Sequence, residues 1–178
     1  GPRPETNFQS TPLMVDGVLY LSFPYYRVVA LEPETGDVIW DYTAPGVWNS
    51  PEHQLHWTGG SMRGLAYWEG DERTSPQIVF GTEEGELISL DSKTGIPNGR
   101  FGNDGYVDLK TDDVMNGFPN MHYGIGSGVA IYRHLVFTGV HNADETGSKG
   151  PAGDVRAWDL RTGELVWTFH TVPHPGEV

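Results

Sequence analysis

The sequence is first defined by what it lacks. It contains no cysteine, which excludes disulfides, thiol catalysis and a Cys-x-x-Cys-His haem attachment within this chain. No apolar run reaches the roughly 18 residues that a membrane-spanning helix needs, so no such span is predicted here. Basic residues are few: 11 Lys and Arg stand against 24 Asp and Glu, giving a net charge of −13. A chain this acidic repels phosphate backbones, and nucleic acid is not an expected partner.

Long helical patterns are also missing. No window carries a sustained 3.6-residue apolar period, whereas 24 Gly and 13 Pro punctuate the 178 residues. These features predict an all-β, loop-rich fold.

One phrase occurs three times, at Ala30–Trp40, Ser89–Gly95 and Ala157–Trp167. In each copy an apolar strand ends at an acidic residue, Thr-Gly reverses the chain, and a second strand follows. The first and third copies carry a Trp on that second strand. The period of about 60–70 residues exceeds the roughly 40–50 residues of most propeller blades, and the surplus is expected in loops.

Each repeat is predicted to hold four short antiparallel strands, the composition of a propeller blade. Asp16-Gly17 is predicted to form a tight hairpin turn. The predicted strands are Pro12–Asp16, Val18–Phe23, Arg27–Leu31 and Asp37–Tyr42 in the first repeat; Met62–Trp68, Gln77–Gly81, Glu86–Leu90 and a weaker strand near Arg100 in the second; and Gly128–Tyr132, His134–Gly139, Asp154–Asp159 and Glu164–His170 in the third.

The domain prediction is one partial β-propeller over residues 1–178, with blade-like repeats at about 8–45, 60–110 and 122–172. Each blade buries its faces on its neighbours, so three blades leave two faces bare. We therefore expect sequence outside this chain to complete the ring.

The repeated phrase resembles the tryptophan-docking repeat of the pyrroloquinoline quinone (PQQ) dehydrogenases. Met62–Trp68 resembles an Arg-Gly-hydrophobic-Ala-Tyr-Trp segment of that family, and Gly153–Glu177 is similar to the third or fourth blade of its glucose-dehydrogenase-like branch. The resemblance covers nearly the whole chain and implies a sector of an eight-bladed ring.

Several functional expectations follow from this resemblance. The full-length protein would be a periplasmic oxidoreductase that oxidises a CH–OH group of a sugar or alcohol with PQQ and Ca²⁺, and passes electrons to a quinone or a haem (cytochrome) acceptor. The family's catalytic aspartate lies in later blades, so no catalytic residue is predicted in this chain, and the segment alone is expected to be inactive.

Arg63 is the first candidate for binding the cofactor. PQQ carries three carboxylates, and a guanidinium pairs with a planar carboxylate through two charge-assisted hydrogen bonds. From its position alone, Arg63 also fits an ordinary surface arginine at the start of a strand. Ser127, before the strand at Gly128, lies where the family offers a hydroxyl to the cofactor, and its alternative role is to cap that strand.

The polar loop Val140–Gly153 is the candidate metal site, because its hard oxygen donors suit calcium. The resemblance implies Asp144 as the carboxylate ligand, with Glu145 as the near alternative. Asn142 is a further candidate through a carbonyl oxygen. A glycine-rich acidic loop is also commonly a solvated turn.

Many alcohol-oxidising relatives cover one face of PQQ with a disulfide between adjacent cysteines, which this chain lacks. The hypothesis here is that His56 or Trp57 supplies that stacking surface. The seven histidines show no paired spacing of the kind a zinc site needs, and none is predicted to be a metal ligand.

A second class of function stays open at this point. The same repeat builds a non-catalytic scaffold in an outer-membrane assembly lipoprotein, which recruits partner proteins through sheet edges and loops. Arg63 in its segment and the acidic loop at Asp144 favour the dehydrogenase, since a scaffold requires neither.

Overall fold

The computed structural model describes residues 8–45, 63–142 and 150–177, and these form three four-stranded antiparallel sheets with a short two-stranded pair. The first sheet contains β1 (Leu13–Val15), β2 (Val18–Phe23), β3 (Arg27–Leu31) and β4 (Val38–Thr43). The second contains β5 (Ala66–Trp68), β6 (Gln77–Gly81), β7 (Glu86–Asp91) and β8 (Tyr106–Asp108). The third contains β10 (Ala130–Tyr132), β11 (Leu135–Thr138), β13 (Val155–Asp159) and β14 (Leu165–Phe169), and the pair is β9 (Tyr123–Gly124) with β12 (His141–Asn142). A single helical turn, α1 (Asp112–Met115), follows the second sheet.

The all-β prediction and the four strands per repeat are confirmed, and β2, β3 and β6 have the predicted bounds. Asp16 and Gly17 have φ of 50° and 77°, as the predicted tight hairpin turn requires.

The strand predicted near Arg100 is wrong, because the fourth strand of the second sheet is β8, several residues later. Turn hydrogen bonds occupy the intervening segment, including Phe101 N–H to the Asn98 carbonyl at 2.9 Å. Gly102 and Asp104 have φ of 56° and 52°, a left-handed backbone that a strand does not adopt. The strand predicted over Met62–Trp68 is also shorter, since β5 begins only at Ala66.

All three Thr-Gly turns have the same hydrogen bonds, which explains the sequence repeat. The glycine N–H donates to the carbonyl of the acidic residue four positions earlier: Gly36 to Glu32 at 2.8 Å, Gly95 to Asp91 at 2.8 Å, and Gly163 to Asp159 at 2.7 Å. Each glycine has φ between 70° and 80°, the conformation that glycine adopts without strain.

The second sheet is buried on both faces, because alternate side chains of its central strands enter two separate cores. Ile78 and Phe80 of β6 pack against the first sheet, whereas Val79 between them packs toward the third. Ile88 and Leu87 of β7 divide in the same way. This sheet therefore lies between the other two.

Trp40 locks the first sheet to the second. Its indole N–H donates to the Ser92 carbonyl at 2.8 Å, and its ring lies directly over Gly95. A Cβ atom at Gly95 would lie 2.7 Å from the indole, inside van der Waals contact. The glycine of the second repeat is thus needed both for its turn and for the tryptophan of the first.

The second interface uses a different contact, because the second repeat has no such tryptophan. The Gly102 N–H donates to the Thr162 carbonyl at 2.8 Å, and a Cβ at Gly163 would lie 2.5 Å from the Val107 side chain. Phe101 is fully buried in the core between these sheets. The hydrogen bond between the Gly102 and Thr162 backbones thus joins the second and third sheets, as the Trp40 indole joins the first and second.

Replacing Gly95 with alanine should destabilise the protein far more than the same change at Gly36. Both glycines have positive φ, a conformation that costs an alanine about 1–2 kcal/mol. Only Gly95 faces Trp40, whereas nothing lies within 4 Å of a Cβ at Gly36. Overpacking adds about 1–3 kcal/mol for Gly95→Ala. Urea denaturation of both variants measures the difference, and equal losses would contradict the docking contact.

Candidate functional site

The segments leading into the first strands of the three sheets meet one another. The Thr11 N–H donates to the Arg63 carbonyl at 3.3 Å, and a Cβ at Gly64 would lie 3.4 Å from the Gly128 Cα. Each segment precedes an edge strand of its sheet: β1, β5 or β10. We call these segments, residues 10–11, 63–64 and 127–128, the inner rim.

Arg63 and Ser127 lie on adjoining segments of the inner rim, and both side chains are exposed. Gly64 and Gly128, which follow them, let the two backbones approach closely. The structure thus brings these two candidate residues to one surface, and their role in binding a cofactor stays a prediction. His56 and Trp57 lie outside the described residues.

The turns between the second and third strands of each sheet lie at the same end as the inner rim, because neighbouring strands are antiparallel. One of these turns carries Tyr25 and Tyr26, with φ of 66° and 54°, and both rings are buried. Burial raises the pKa of Tyr26, and the nearby charges of Glu84 and Glu83 raise it further. These glutamates belong to the equivalent turn of the second sheet.

The two-stranded pair connects the acidic loop to this end. Asn142 pairs with Tyr123 and His141 with Gly124, and a Cβ at Gly124 would lie 2.2 Å from the Glu83 carbonyl oxygen. The loop that begins after β12 therefore leaves from a position close to the turn at Glu83. Asp144 and Glu145 lie outside the described residues, as does the side chain of Asn142, so their predicted metal site stays a prediction.

A buried polar network lies beneath the start of this loop. Arg156 donates to the Tyr123 hydroxyl at 2.8 Å and to Asp154 Oδ2 at 3.1 Å, and Asp154 Oδ2 lies 3.2 Å from His170 Nδ1. Arg156 and Asp154 are each only 4% exposed. Burial raises the pKa of Tyr123, although the charge and hydrogen bond of Arg156 oppose this.

Sequence reasoning missed this network and a histidine pair beside it. The available signal was Asp154-x-Arg156 at the start of a strand, because alternate residues of a strand share a face. The rings of His170 and His174 stack with centroids 3.9 Å apart. A spacing pattern for one strand face or one helix does not detect this pair, because these residues leave a strand and enter a turn. That none of the histidines binds a metal stays an untested expectation of the sequence.

Removing Arg156 should strongly destabilise the protein. Arg156→Met would leave the Asp154 carboxylate buried without its partner, a loss of about 3–5 kcal/mol. Adding Asp154→Asn removes that buried charge and should restore part of the loss. Thermal denaturation of the single and double variants measures both effects, with Arg161→Met, at an exposed arginine, as the control of small effect. A single variant as stable as the control would contradict this account.

Comparison with known proteins is consistent with this architecture. The PQQ family described as the glucose/ethanol/alcohol dehydrogenase β-propeller domain matches residues 1–178. Within the described residues, no helix is both long and apolar enough to cross a membrane.

The relatives include proteins named as alcohol dehydrogenases and as glucose dehydrogenases. The chain is 31% identical to the dehydrogenase subunit of the quinone alcohol dehydrogenase of Gluconobacter oxydans (strain 621H), an alignment that covers 94% of this chain and 20% of that protein. It is 25% identical to quinoprotein glucose dehydrogenase A of Acinetobacter calcoaceticus, covering 94% of this chain and 22% of that protein.

Among solved structures, the quinohemoprotein alcohol dehydrogenase of Comamonas testosteroni superposes with a TM-score of 0.65 at 25% identity, covering 94% of this chain and 22% of that one. The chain thus spans about a fifth of the length of the relatives it matches. It belongs to the PQQ family of glucose, ethanol and alcohol dehydrogenase β-propeller domains.

Proposed function

We propose that this chain is the sector of a PQQ-dependent dehydrogenase that holds the carboxylates of the cofactor. The observation that carries the proposal is the inner rim, where Arg63 and Ser127 lie exposed on adjoining segments in a chain of this family. The full-length protein would oxidise a CH–OH group of a sugar or alcohol.

The donors at the inner rim fit such a cofactor. A guanidinium donates two parallel N–H bonds to one carboxylate, and the Ser127 hydroxyl donates a third bond beside it. Gly64 and Gly128 contribute no side chains, so the two backbones pack together and the two donors lie on adjoining segments. The chain has a net charge of −13, which repels a molecule with three carboxylates, and the exposed Arg63 would offset that repulsion locally.

The remaining parts of the proposed site lie outside the described residues. Asp144, with Glu145 as the alternative and Asn142 as a further oxygen donor, would hold Ca²⁺, and His56 or Trp57 would cover one face of the cofactor ring. When bound, PQQ would act as a two-electron oxidant, and Ca²⁺ would act as a Lewis acid. The support from the described residues is that β12 pairs with β9 and so starts the acidic loop near the turn at Glu83.

The proposal extends to the rest of the propeller, the electron acceptor and the location of the enzyme. Sequence outside this chain would complete the propeller and supply the catalytic base, a quinone or a cytochrome would accept the electrons, and the enzyme would be periplasmic. The relatives bear the names of quinone-linked and quinohemoprotein dehydrogenases, which supports an acceptor of one of these kinds.

Arg63→Ala in the full-length protein should weaken PQQ binding by about 10–100-fold, because a charge-assisted pair with a carboxylate is worth about 1.5–3 kcal/mol. Arg63→Lys keeps the positive charge but cannot donate two parallel hydrogen bonds, so its PQQ affinity should lie between those of the wild type and Arg63→Ala. Binding is measured by quenching of tryptophan fluorescence as the apoprotein is titrated with PQQ.

The matched control is Arg73→Ala, which removes an exposed arginine from beyond the other end of β5. It should leave PQQ affinity unchanged. If Arg63→Ala binds PQQ as tightly as Arg73→Ala, the inner rim does not hold the cofactor.

Asp144→Asn and Glu145→Gln should separate the two candidate carboxylates. A neutral amide in place of a carboxylate lowers calcium affinity, so the variant at the true ligand should require much more Ca²⁺ for dye reduction with PQQ present, while the other should behave as wild type. The half-saturating Ca²⁺ concentration is measured after chelation with EGTA. Two variants that both match wild type would contradict a metal site in this loop.

A further inference from the structure

The segment after β14 gathers three metal-binding side chains that the proposed PQQ and calcium sites do not use. The ligand atoms of His170, His174 and Glu177 lie within 4.8 Å of one another. From this cluster and its support, we infer a second metal site, specific for Zn²⁺ or a similar divalent transition metal, on the surface of the third sheet.

A β-turn brings the ligands together. Glu177 N–H donates to the His174 carbonyl at 3.1 Å, Pro175 follows His174, and Gly176 has φ of 94°. Proline followed by a left-handed glycine is the preferred sequence of a type II turn. The turn folds Glu177 back, so that its Oε2 accepts from the His174 N–H at 2.7 Å while its Oε1 lies 3.7 Å from His170 Nε2.

A buried carboxylate orients the first ligand. Asp154, which is 4% exposed, lies 3.2 Å from His170 Nδ1 and accepts from the Thr171 N–H at 3.3 Å. A carboxylate acceptor at Nδ1 places the ring proton there and leaves the Nε2 lone pair facing Glu177 Oε1. Carboxylate–histidine–metal triads orient zinc ligands in this way.

The ligand types select the metal. Two imidazoles and one carboxylate suit Zn²⁺ and related transition ions, whereas Ca²⁺ takes oxygen ligands. Ligands at about 2.0–2.1 Å from a tetrahedral ion are about 3.4 Å apart, close to the 3.7 Å between His170 Nε2 and Glu177 Oε1. Three protein ligands leave the fourth position to water.

Binding requires one movement. The two imidazole planes are inclined by only 29°, so a single ion cannot lie in both ring planes until His174 turns out of the stack. His174 is exposed, which gives its ring room to turn. An open cavity of about 270 Å³, lined by His170, His174 and Asp154 among others, gives the ion a path from solvent.

The test is a calorimetric titration of the full-length protein with ZnCl₂, after chelation, without PQQ and with Ca²⁺ in large excess. We expect the wild type to bind one equivalent of Zn²⁺. The affinity for Zn²⁺ should fall at least about 10–100-fold in His174→Ala and in Glu177→Gln. His134→Ala, at a histidine between β10 and β11, should bind as wild type does. Bound Co²⁺ should show tetrahedral d–d bands in wild type that are absent in His174→Ala.

Asp154→Asn tests the positioning role separately and should weaken Zn²⁺ binding by about 10-fold without removing it. Should that variant fail to fold, the exposed His174 and Glu177 variants still decide the matter. Zinc affinity and stoichiometry that are the same in wild type, His174→Ala and Glu177→Gln would overturn the site. The titration contains no PQQ, so its outcome is independent of the Arg63 experiment.

Discussion

The contact between Trp40 and the Thr-Gly turn of the next sheet is the constraint on which the arrangement of the first two sheets depends. One indole closes the gap between the sheets, fills it with apolar surface, and satisfies the Ser92 carbonyl at 2.8 Å. The Tyr20 hydroxyl donates to the same carbonyl at 3.2 Å, so the first sheet supplies both donors and the segment after β7 of the second sheet supplies the acceptor. These directional bonds fix the position of one sheet along the strands of the other, which non-directional apolar contact alone does not.

The sheets also meet at the opposite end of the strands. The segments before the first strands of the second and third sheets approach there until Gly64 and Gly128 are in contact, so Arg63 and Ser127 lie on adjoining segments. Arg63 precedes β5, the edge strand of a sheet that is buried on both faces, with Ile78, Phe80 and Val79 fully enclosed. A segment that leads directly into such a sheet is anchored at one end by two cores, which helps to position a binding residue.

Much of this fold was predictable from the sequence because the repeat and the alternation of apolar residues encode local geometry. Asp16-Gly17 and the three Thr-Gly turns follow from glycine's access to positive φ. The strand near Arg100 was misplaced because its turn depends on Phe101 entering a core between sheets, a tertiary contact with no local signature. For the same reason, the pairing of β9 with β12 and the approach of His170 to Asp154 could not be read from spacing. The family resemblance assigned Arg63 and Ser127 to the same cofactor, but the contact between their segments could not be read from the sequence.

The buried pair of Arg156 and Asp154 is better explained by positioning than by stability. Taking two charges out of water costs several kcal/mol per ion, and their attraction rarely returns more than that cost. Here each partner also holds a third group: Arg156 fixes the Tyr123 hydroxyl under the start of the acidic loop, and Asp154 fixes the ring of His170 beyond β14. An apolar pair of the same volume would pack as well, but it would orient neither the Tyr123 hydroxyl nor the His170 ring. The network therefore joins the loop proposed to bind calcium to the cluster proposed to bind zinc, and a change at its centre should disturb both.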